Sequence, residues 1–331
     1  MHYKQALVLA GATLGAFAAS MPARAQSSLT LNGMLDLGVF RDFDGASKVG
    51  TIQRSNLAIV GTEDLGGGVK AVLRLATRAE LDTGASEGAG YKPFWHDEAT
   101  IGLQGGWGTV RAGRAMTAMW ANDWKFDPWA NFNRIASPAW QHWHYLTPSD
   151  PFGNNGTAEY GRLNNGIFYD SPTVRGVTLR LSGSPERQRE QGATRRPVSV
   201  VLEYGQGAVA AMAAFERNSI GDRDTFVAGK YTLGVVAIMA AHDDSRARAT
   251  GGRSRAATLS ATWQVAPAVL LKTGYSRQRL DAGVDHFVSL GADYSLSRRS
   301  TLYASLGRHR TTPQMPQMLH TAFGFGLAHL Y

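Results

Sequence analysis

Hydrophobic residues recur along this chain with a period of two, in stretches suited to strands. Between residues 29 and 37, Leu29, Leu31, Gly33, Leu35 and Leu37 share one face, and residues 55–61 continue the rhythm. Residues 69–80 show it most clearly. Val69, Ala71, Leu73, Leu75, Thr77 and Ala79 point one way; Lys70, Val72, Arg74, Ala76, Arg78 and Glu80 point the other. Such alternation gives a strand one apolar and one polar face. In a soluble sandwich the polar face would look outward, whereas in a membrane barrel it lines the lumen. Residues 208–215 and 235–241 are apolar without clean alternation. Each is too short for an ordinary helix and is bracketed by turn residues, so strands are expected there too.

The connections decide between sandwich and barrel. Tight turns are expected at residues 63–68, 105–108, 171–176, 205–207, 232–234, 266–267 and 297–300. Longer polar loops are expected near residues 42–50, 82–93, 115–158, 185–196, 217–224, 243–254, 279–284 and 309–318. Short turns at one end and long loops at the other are the pattern of an all-β, antiparallel transmembrane barrel, here of sixteen strands. Beyond residue 25 no apolar run reaches the roughly 18 residues of a spanning helix, but barrel strands need only about 9–11.

The ends point the same way. Lys4, the apolar run 6–19 and Ala23-Arg24-Ala25 form a signal peptide of residues 1–25 with cleavage before Gln26. Phe323, Phe325 and Leu327 share a face with the terminal aromatic Tyr331, as a closing barrel strand would. Residues 26–331 then form one barrel domain in the outer membrane. The absence of cysteine means that the exported fold owes nothing to disulfides.

Charge adds a functional expectation. The chain carries +8, or +6 without Lys4 and Arg24. Export and the scattering of the cations argue against nucleic acid as a partner. Arg54, Lys70, Arg74, Arg78, Arg111, Arg114 and Arg162 fall on expected lumen faces. They either make the lumen attractive to anions or belong to a solvated face paired with carboxylates such as Glu80 and Glu98. Residues 115–158 hold five of the eight tryptophans, Trp120, Trp124, Trp129, Trp140 and Trp143, with His142, His144, Asp123, Asp127 and Asp150. The indoles could stack a solute, hold the loop to the wall, or meet another subunit.

Catalysis and cofactors find no support. His96, His142, His144, Asp97 and scattered serines have no local motif that fixes a nucleophile, so no enzyme is expected. His142 and His144 offer two metal ligands without a third in view, so no metal is expected either. Gly66-Gly67-Gly68 lacks the surroundings of a phosphate loop.

Five segments, taken in order, resemble the general-diffusion porins of Gram-negative outer membranes, in particular the β-proteobacterial type. Residues 28–36 resemble the opening strand S-V-T-L-Y-G-x-x-D. Residues 61–71 are similar to the first turn, G-x-E-D-L-G-G-G-L-K-A. Residues 106–114 resemble F-G-T-V-x-x-G-R, residues 162–172 resemble R-x-N-N-S-x-x-Y-x-S-P, and residues 290–300 resemble L-G-A-D-Y-x-L-S-K-R-T. The resemblance implies a homotrimer of sixteen-stranded barrels, surrounded by outer-membrane lipid and assembled by the barrel-assembly machinery, which reads the terminal aromatic. It implies a water-filled channel for small hydrophilic solutes and ions, without a cofactor. The third long loop, residues 115–158, would fold inward as a constriction.

The resemblance also implies a basic ladder facing acids on that loop. Arg114 and Arg162 carry over to the ladder. A third family arginine would fall at position 56, where this chain has Asn56, with Arg54 two places earlier. Asp123 and Asp127, with Glu98, are the expected acidic side; Trp120, Trp124 and Trp129 are the expected constriction aromatics. Exposing five indoles on a surface loop would create a large apolar patch, which independently favours an inward loop. The alternative is a surface-binding or adhesion protein anchored by its barrel. It calls for long exposed loops, and most here run to only about 6–12 residues.

Overall fold

A computed structural model describes residues 27–87, 92–146, 161–185, 195–312 and 320–331. The expected signal peptide and residues 147–158 of the expected constriction loop lie outside these. The strands are β1 (Ser28–Arg41), β2 (Ser47–Gly50), β3 (Asn56–Gly66), β4 (Val69–Arg78), β5 (Glu98–Gly105), β6 (Gly108–Met116), β7 (Arg162–Asp170), β8 (Val177–Gly183) and β9 (Val198–Gln206). They continue with β10 (Val209–Arg217), β11 (Arg223–Leu233), β12 (Val236–Arg246), β13 (Arg253–Ala266), β14 (Val269–Leu280), β15 (Gly283–Ser295), β16 (Ser300–Thr311) and β17 (Thr321–Leu330).

Successive strands from β3 onward pair antiparallel, and β17 returns to β1 with Leu35 opposite His329 and Arg41 opposite Phe323. The lower half of β1 pairs with β3 and its upper half with β2. Those two strands therefore form one wall strand interrupted at residues 51–55, and sixteen wall positions close the ring. Asp36 on β1 explains the interruption. Its Oδ1 accepts from the Ile52 and Gln53 amides at 2.8 and 2.7 Å, and its Oδ2 accepts from the Tyr303 hydroxyl at 2.6 Å. Closure leaves no strand edge unpaired in lipid.

Alternation sorts the two faces. Leu29, Val39, Ile101 and Phe325 are 74%, 62%, 66% and 65% exposed, values suited to lipid and costly in water. Exposed Trp107, Tyr204, Tyr231, Trp263 and Tyr294 cluster at the tight-turn ends, where an interfacial aromatic belt belongs. The seven expected tight turns all lie between paired strands. Two expected long loops are shorter than foreseen. Residues 279–280 and 283–284 stay zipped around a two-residue turn, and Asp244–Arg246 pairs with Arg253–Arg255. Polar residues end the apolar pattern there before the ladder ends, because strands projecting into water need no apolar face.

The loop between β6 and β7 folds against the inner wall. It carries a 3-10 turn, Asp123–Phe126, and one short helix, α1 (Pro138–His142), capped by the Ser137 hydroxyl, which accepts from the Trp140 amide at 3.0 Å. Met119, Phe126, Ala139 and Trp143 pack on Val201, Met212, Phe226, Ala228, Ala241 and Ala256. Ile135 packs among Phe40, Ile52, Phe287 and Tyr303. The segments without clean alternation, now β10 and β12, thereby find their reason: one apolar face meets lipid and the other meets the loop. Across β14 to β17 a row of inward glycines makes room. A Cβ at Gly274 would meet Pro138 at 2.6 Å, at Gly291 the Trp129 ring at 2.9 Å, at Gly307 the Ile135 carbonyl at 2.0 Å, and at Gly324 Ile135 Cδ1 at 2.9 Å.

Candidate functional site

Because the loop rests on the β8–β17 side, open space remains along β1 and β3 to β7. This cavity measures about 860 Å³. Arginines 54, 74, 78, 111 and 162 line its wall side, and Trp120, Trp124, Phe132, Trp140 and Tyr145 line its loop side. Among the described residues, six arginine and lysine and four aspartate and glutamate side chains border it.

The cations form two groups. In the first, Glu98 lies between Arg74 (3.1 Å) and Arg111 (2.6 Å), and Arg111 also approaches Asp170 at 3.6 Å. Glu98 thus serves two guanidiniums, and Asp170 is shared with Arg180 at 2.9 Å. In the second, Asp97 accepts from Arg78 Nε at 2.9 Å and is ion-paired with Arg162, whose Nε donates to the Asp97 carbonyl at 2.8 Å. Glu87 binds Lys92 at 2.7 Å and approaches Arg78 at 3.6 Å. Burial alone would push the Asp97 carboxyl up, but Arg78, Arg162 and Arg54 hold it well below the usual carboxylate range. Burial likewise opposes ionisation of Glu87, yet Arg78 and Lys92 hold it down at about 2.

Arg54 completes the second group. It comes from the interruption in the wall, and its guanidinium carbon lies 4.0 Å from the centre of the Phe132 ring. Among the described residues its guanidinium has no carboxylate partner and no hydrogen bond. Among the described residues, Asp97 and Glu87 are the carboxylates that Arg78, Arg162 and Lys92 meet, and Arg54 pairs with neither.

The expected acids of the loop do not stand across from these arginines. Asp123 is fully buried and accepts from His144 Nε2 at 3.0 Å. Asp127 accepts from the Trp129 and Asn131 amides at 3.0 and 2.9 Å and from the Ser137 hydroxyl at 2.9 Å, so it organises the loop itself. Burial pushes its carboxyl up to about 6 against those bonds. The other face of His144 lies 2.9 Å from both Asp224 and Asp243 on the wall. Burial works against the imidazolium, but Asp224, Asp243 and Asp123 outweigh it and raise its pKa well above the ordinary value. His144 is a charged rivet between loop and wall.

A second rivet is neutral. His142 takes a hydrogen bond from Ser276 at 2.5 Å and donates from Nε2 to Asp285 at 2.9 Å; His309 reaches the same carboxylate at 2.6 Å. Burial, opposed by Asp285, pushes the His142 imidazole down. Ser276, His142 and Asp285 make a serine–histidine–aspartate line, but Ser276 is fully buried and no substrate reaches its hydroxyl. Among the described residues these rivets also form the two groups with three ligating atoms within 4.8 Å, His142–Asp285–His309 and His144–Asp224–Asp243. Hydrogen bonds already satisfy their imidazoles.

The remaining candidate residues divide by place. Lys70 is exposed opposite Asp64 at a tight turn, away from the cavity. Arg114 is buried, donating to the His96 carbonyl at 2.8 Å and to Asn164 at 2.7 Å, and does not line the cavity. A register shift between Gly113 and Ala115 accompanies this placement. Trp129 is buried against Gly291, and Trp143 donates to Thr258 at 2.9 Å, so both anchor the loop. Trp120 packs at a tilt against His144 with ring centres 4.6 Å apart, whereas Trp124 and Trp140 remain 42% and 43% exposed at the cavity. Tyr331 leaves the face of Phe325: its hydroxyl donates to the Asn56 carbonyl at 3.2 Å and its ring covers Gly33. The wall glycines and Phe132 escaped the sequence reading, as did the structural roles of Asp36, Asp97, His142 and His144. The glycines at inward strand positions and the failed alternation in β10 and β12 were the available signals.

Comparisons with known proteins agree with this geometry. A sequence model described as Gram-negative porin matches residues 8–314. Outer membrane porin protein 32 of Delftia acidovorans is 28% identical over 88% of this chain and 87% of its own length. The major outer membrane protein P.IB of Neisseria lactamica is 24% identical over 95% of this chain and 97% of its own length. Among solved structures, an anion-selective porin from Comamonas acidovorans superposes with a TM-score of 0.77 at 22% identity, covering 92% of this chain and all of that one.

Proposed function

The chain belongs to the Gram-negative porin family, a family of outer-membrane channels rather than enzymes, and from that premise we propose that its lumen passes small hydrophilic solutes and ions with a mild preference for anions. The observation that carries the preference is Arg54, which borders the lumen and among the described residues holds no carboxylate at ion-pair distance. A cationic patch on a low-dielectric wall raises the local concentration of anions. The description of the Comamonas acidovorans protein as anion-selective points the same way.

In this reading Arg54 attracts, while Arg74, Arg111 and Glu98 form a paired hydrophilic strip. Asp123 and Asp127 shape the constriction from within the loop, and Lys70 and Arg114 take no direct part in permeation. Three further proposals accompany it: a homotrimer in outer-membrane lipid, removal of residues 1–25 on export, and recognition of the Tyr331 strand by the assembly machinery. Zero-current potentials across a KCl gradient in planar bilayers test the selectivity. The expected sign is chloride over potassium; a potential of the opposite sign overturns the reading.

A further inference from the structure

The outside of the barrel carries a charge pattern that permeation does not use. On β13 to β16, Leu259, Tyr275, Val288 and Leu306 are exposed and belong to the apolar band. Alternation carries the same face onward to the long-loop end, and there it presents arginine. Arg255 precedes Leu259 on β13, Arg277 and Arg279 follow Tyr275 on β14, and Arg308 and Arg310 follow Leu306 on β16; all five are exposed. Arg255 stands directly opposite Arg279. Neighbouring strands lie about 4.8 Å apart, and like charges placed opposite each other repel. His286 on β15 joins the row, opposite both Arg277 and Arg310.

Acids do not offset this row. Asp244 on β12 shares the face, but it already serves Arg246 at 3.3 Å and Arg253, and lies 3.9 Å from Arg255. Asp285 on β15 is turned to the histidines of the inner wall. Among the described residues, Arg277, Arg279, Arg308 and Arg310 make no ion pair and no hydrogen bond. Residues 311–320, which follow Arg310, contain no acid. The long-loop end of an outer-membrane barrel is its extracellular end, so these guanidiniums lie level with the headgroups of the outer leaflet. Phosphate fits a guanidinium fork through two parallel hydrogen bonds.

We propose that the arginine row on β13 to β16 is a docking surface for a phosphorylated lipid of the outer leaflet, with the phosphates on the arginines and the acyl chains on the apolar face below. The guanidiniums hold the phosphates directly, since the row offers no spare carboxylate through which a divalent cation could bridge. This face is separate from the lumen, so lipid binding and chloride preference hold or fail independently.

The test titrates the full-length mature protein, purified in a neutral detergent, with fluorescent diphosphoryl lipid A and with the same lipid stripped of both phosphates. The phosphorylated lipid is expected to bind about tenfold more tightly. Its affinity should be unchanged by a chelator of divalent cations and should fall as salt rises. Arg277→Gln with Arg279→Gln should weaken it by about tenfold. Arg298→Gln with Arg299→Gln removes the same charge from an exposed turn at the opposite end of the barrel and should leave it unchanged. Equal affinity for the two lipids overturns the proposal, and equal weakening in the two double variants overturns the placement. Loss of binding with the chelator overturns direct recognition by arginine. If inorganic phosphate at millimolar concentration displaces the lipid completely, the row is a site for free phosphate and the lipid assignment falls. The comparison of the two lipids on the wild-type protein carries the test even if a variant fails to fold.

Discussion

Two arginine groups stand on the same wall and differ in one respect: what neutralises them. Arg74 and Arg111 share Glu98, and Arg111 also approaches the Asp170 that Arg180 holds. Arg78, Arg162 and Lys92 meet Asp97 and Glu87, whereas Arg54 meets an aromatic ring instead of an acid among the described residues. Counting lumen arginines would rank the groups alike. The difference teaches that an arginine contributes to permeation in two ways, through long-range potential and through donors that a passing anion can use. A paired arginine retains only the first.

The comparison depends on the loop that brings Phe132 to Arg54, so the largest expected effect comes from displacing it. Gly307→Val would drive a side chain into the Ile135 carbonyl, which lies 2.0 Å from the position of a Cβ. Overpacking of this kind costs about 1–3 kcal/mol. Single-channel steps should become larger and noisier, and the contrast between the groups should disappear. Unchanged conductance in a correctly folded variant would place the loop outside the conducting path.

The next largest effect is expected from pH, through His144. Its folded-state pKa is raised, so its contribution to loop docking is full below the ordinary value of about 6.5 and is lost as pH rises through the raised value. Channels should be quiet near pH ~6 and become noisier as pH rises through the raised value. His144→Gln should be noisy throughout. A variant that keeps the wild-type pH dependence would assign that dependence to another group.

Arg54→Gln breaks the comparison directly. It should lower the chloride-to-potassium ratio by about twofold, equivalent to roughly 0.5 kcal/mol, a typical size for an exposed charged contact. Part of the drop should persist at 1 M salt, because donation at contact distance is not fully screened. Arg111→Gln should produce a smaller drop that vanishes at 1 M, where the Debye length is about 3 Å. Equal salt dependence in the two variants would erase the distinction. Glu98→Gln sharpens the comparison with the smallest effect: freeing Arg74 and Arg111 should raise the ratio by less than about twofold. Reversal-potential measurements at both salt concentrations read all three variants.

Much of the barrel was legible because its physics is local. A strand exposed to lipid on one face must alternate, and Val69 to Arg78 does so residue by residue. Turn chemistry marked all seven tight connections. The site was less legible. Arg54 was a second choice beside Asn56, yet it lies outside any strand, where the Asp36 bonds to Ile52 and Gln53 interrupt the wall. Arg114 matched a family pattern, but the irregular stretch at Gly113 to Ala115 accompanies its burial against His96 and Asn164. Asp123 and Asp127 were rightly placed in the loop and wrongly faced, since nothing in sequence reveals that His144 and three backbone or hydroxyl donors would engage them.

The sequence by itself determined the period-two pattern, the order of turns and loops, the aromatic-rich third loop and the excess of basic residues. Each follows from interactions between neighbours or from what lipid and water demand of a face. Only the tertiary structure decided which arginines keep their charge to themselves and which tryptophans stay at the cavity. Those outcomes depend on residues far apart in the chain meeting across the lumen, as Arg54 meets Phe132 and Gly291 receives Trp129. A side chain's availability is fixed by its partners, and partners brought together by barrel closure and loop docking leave no local trace.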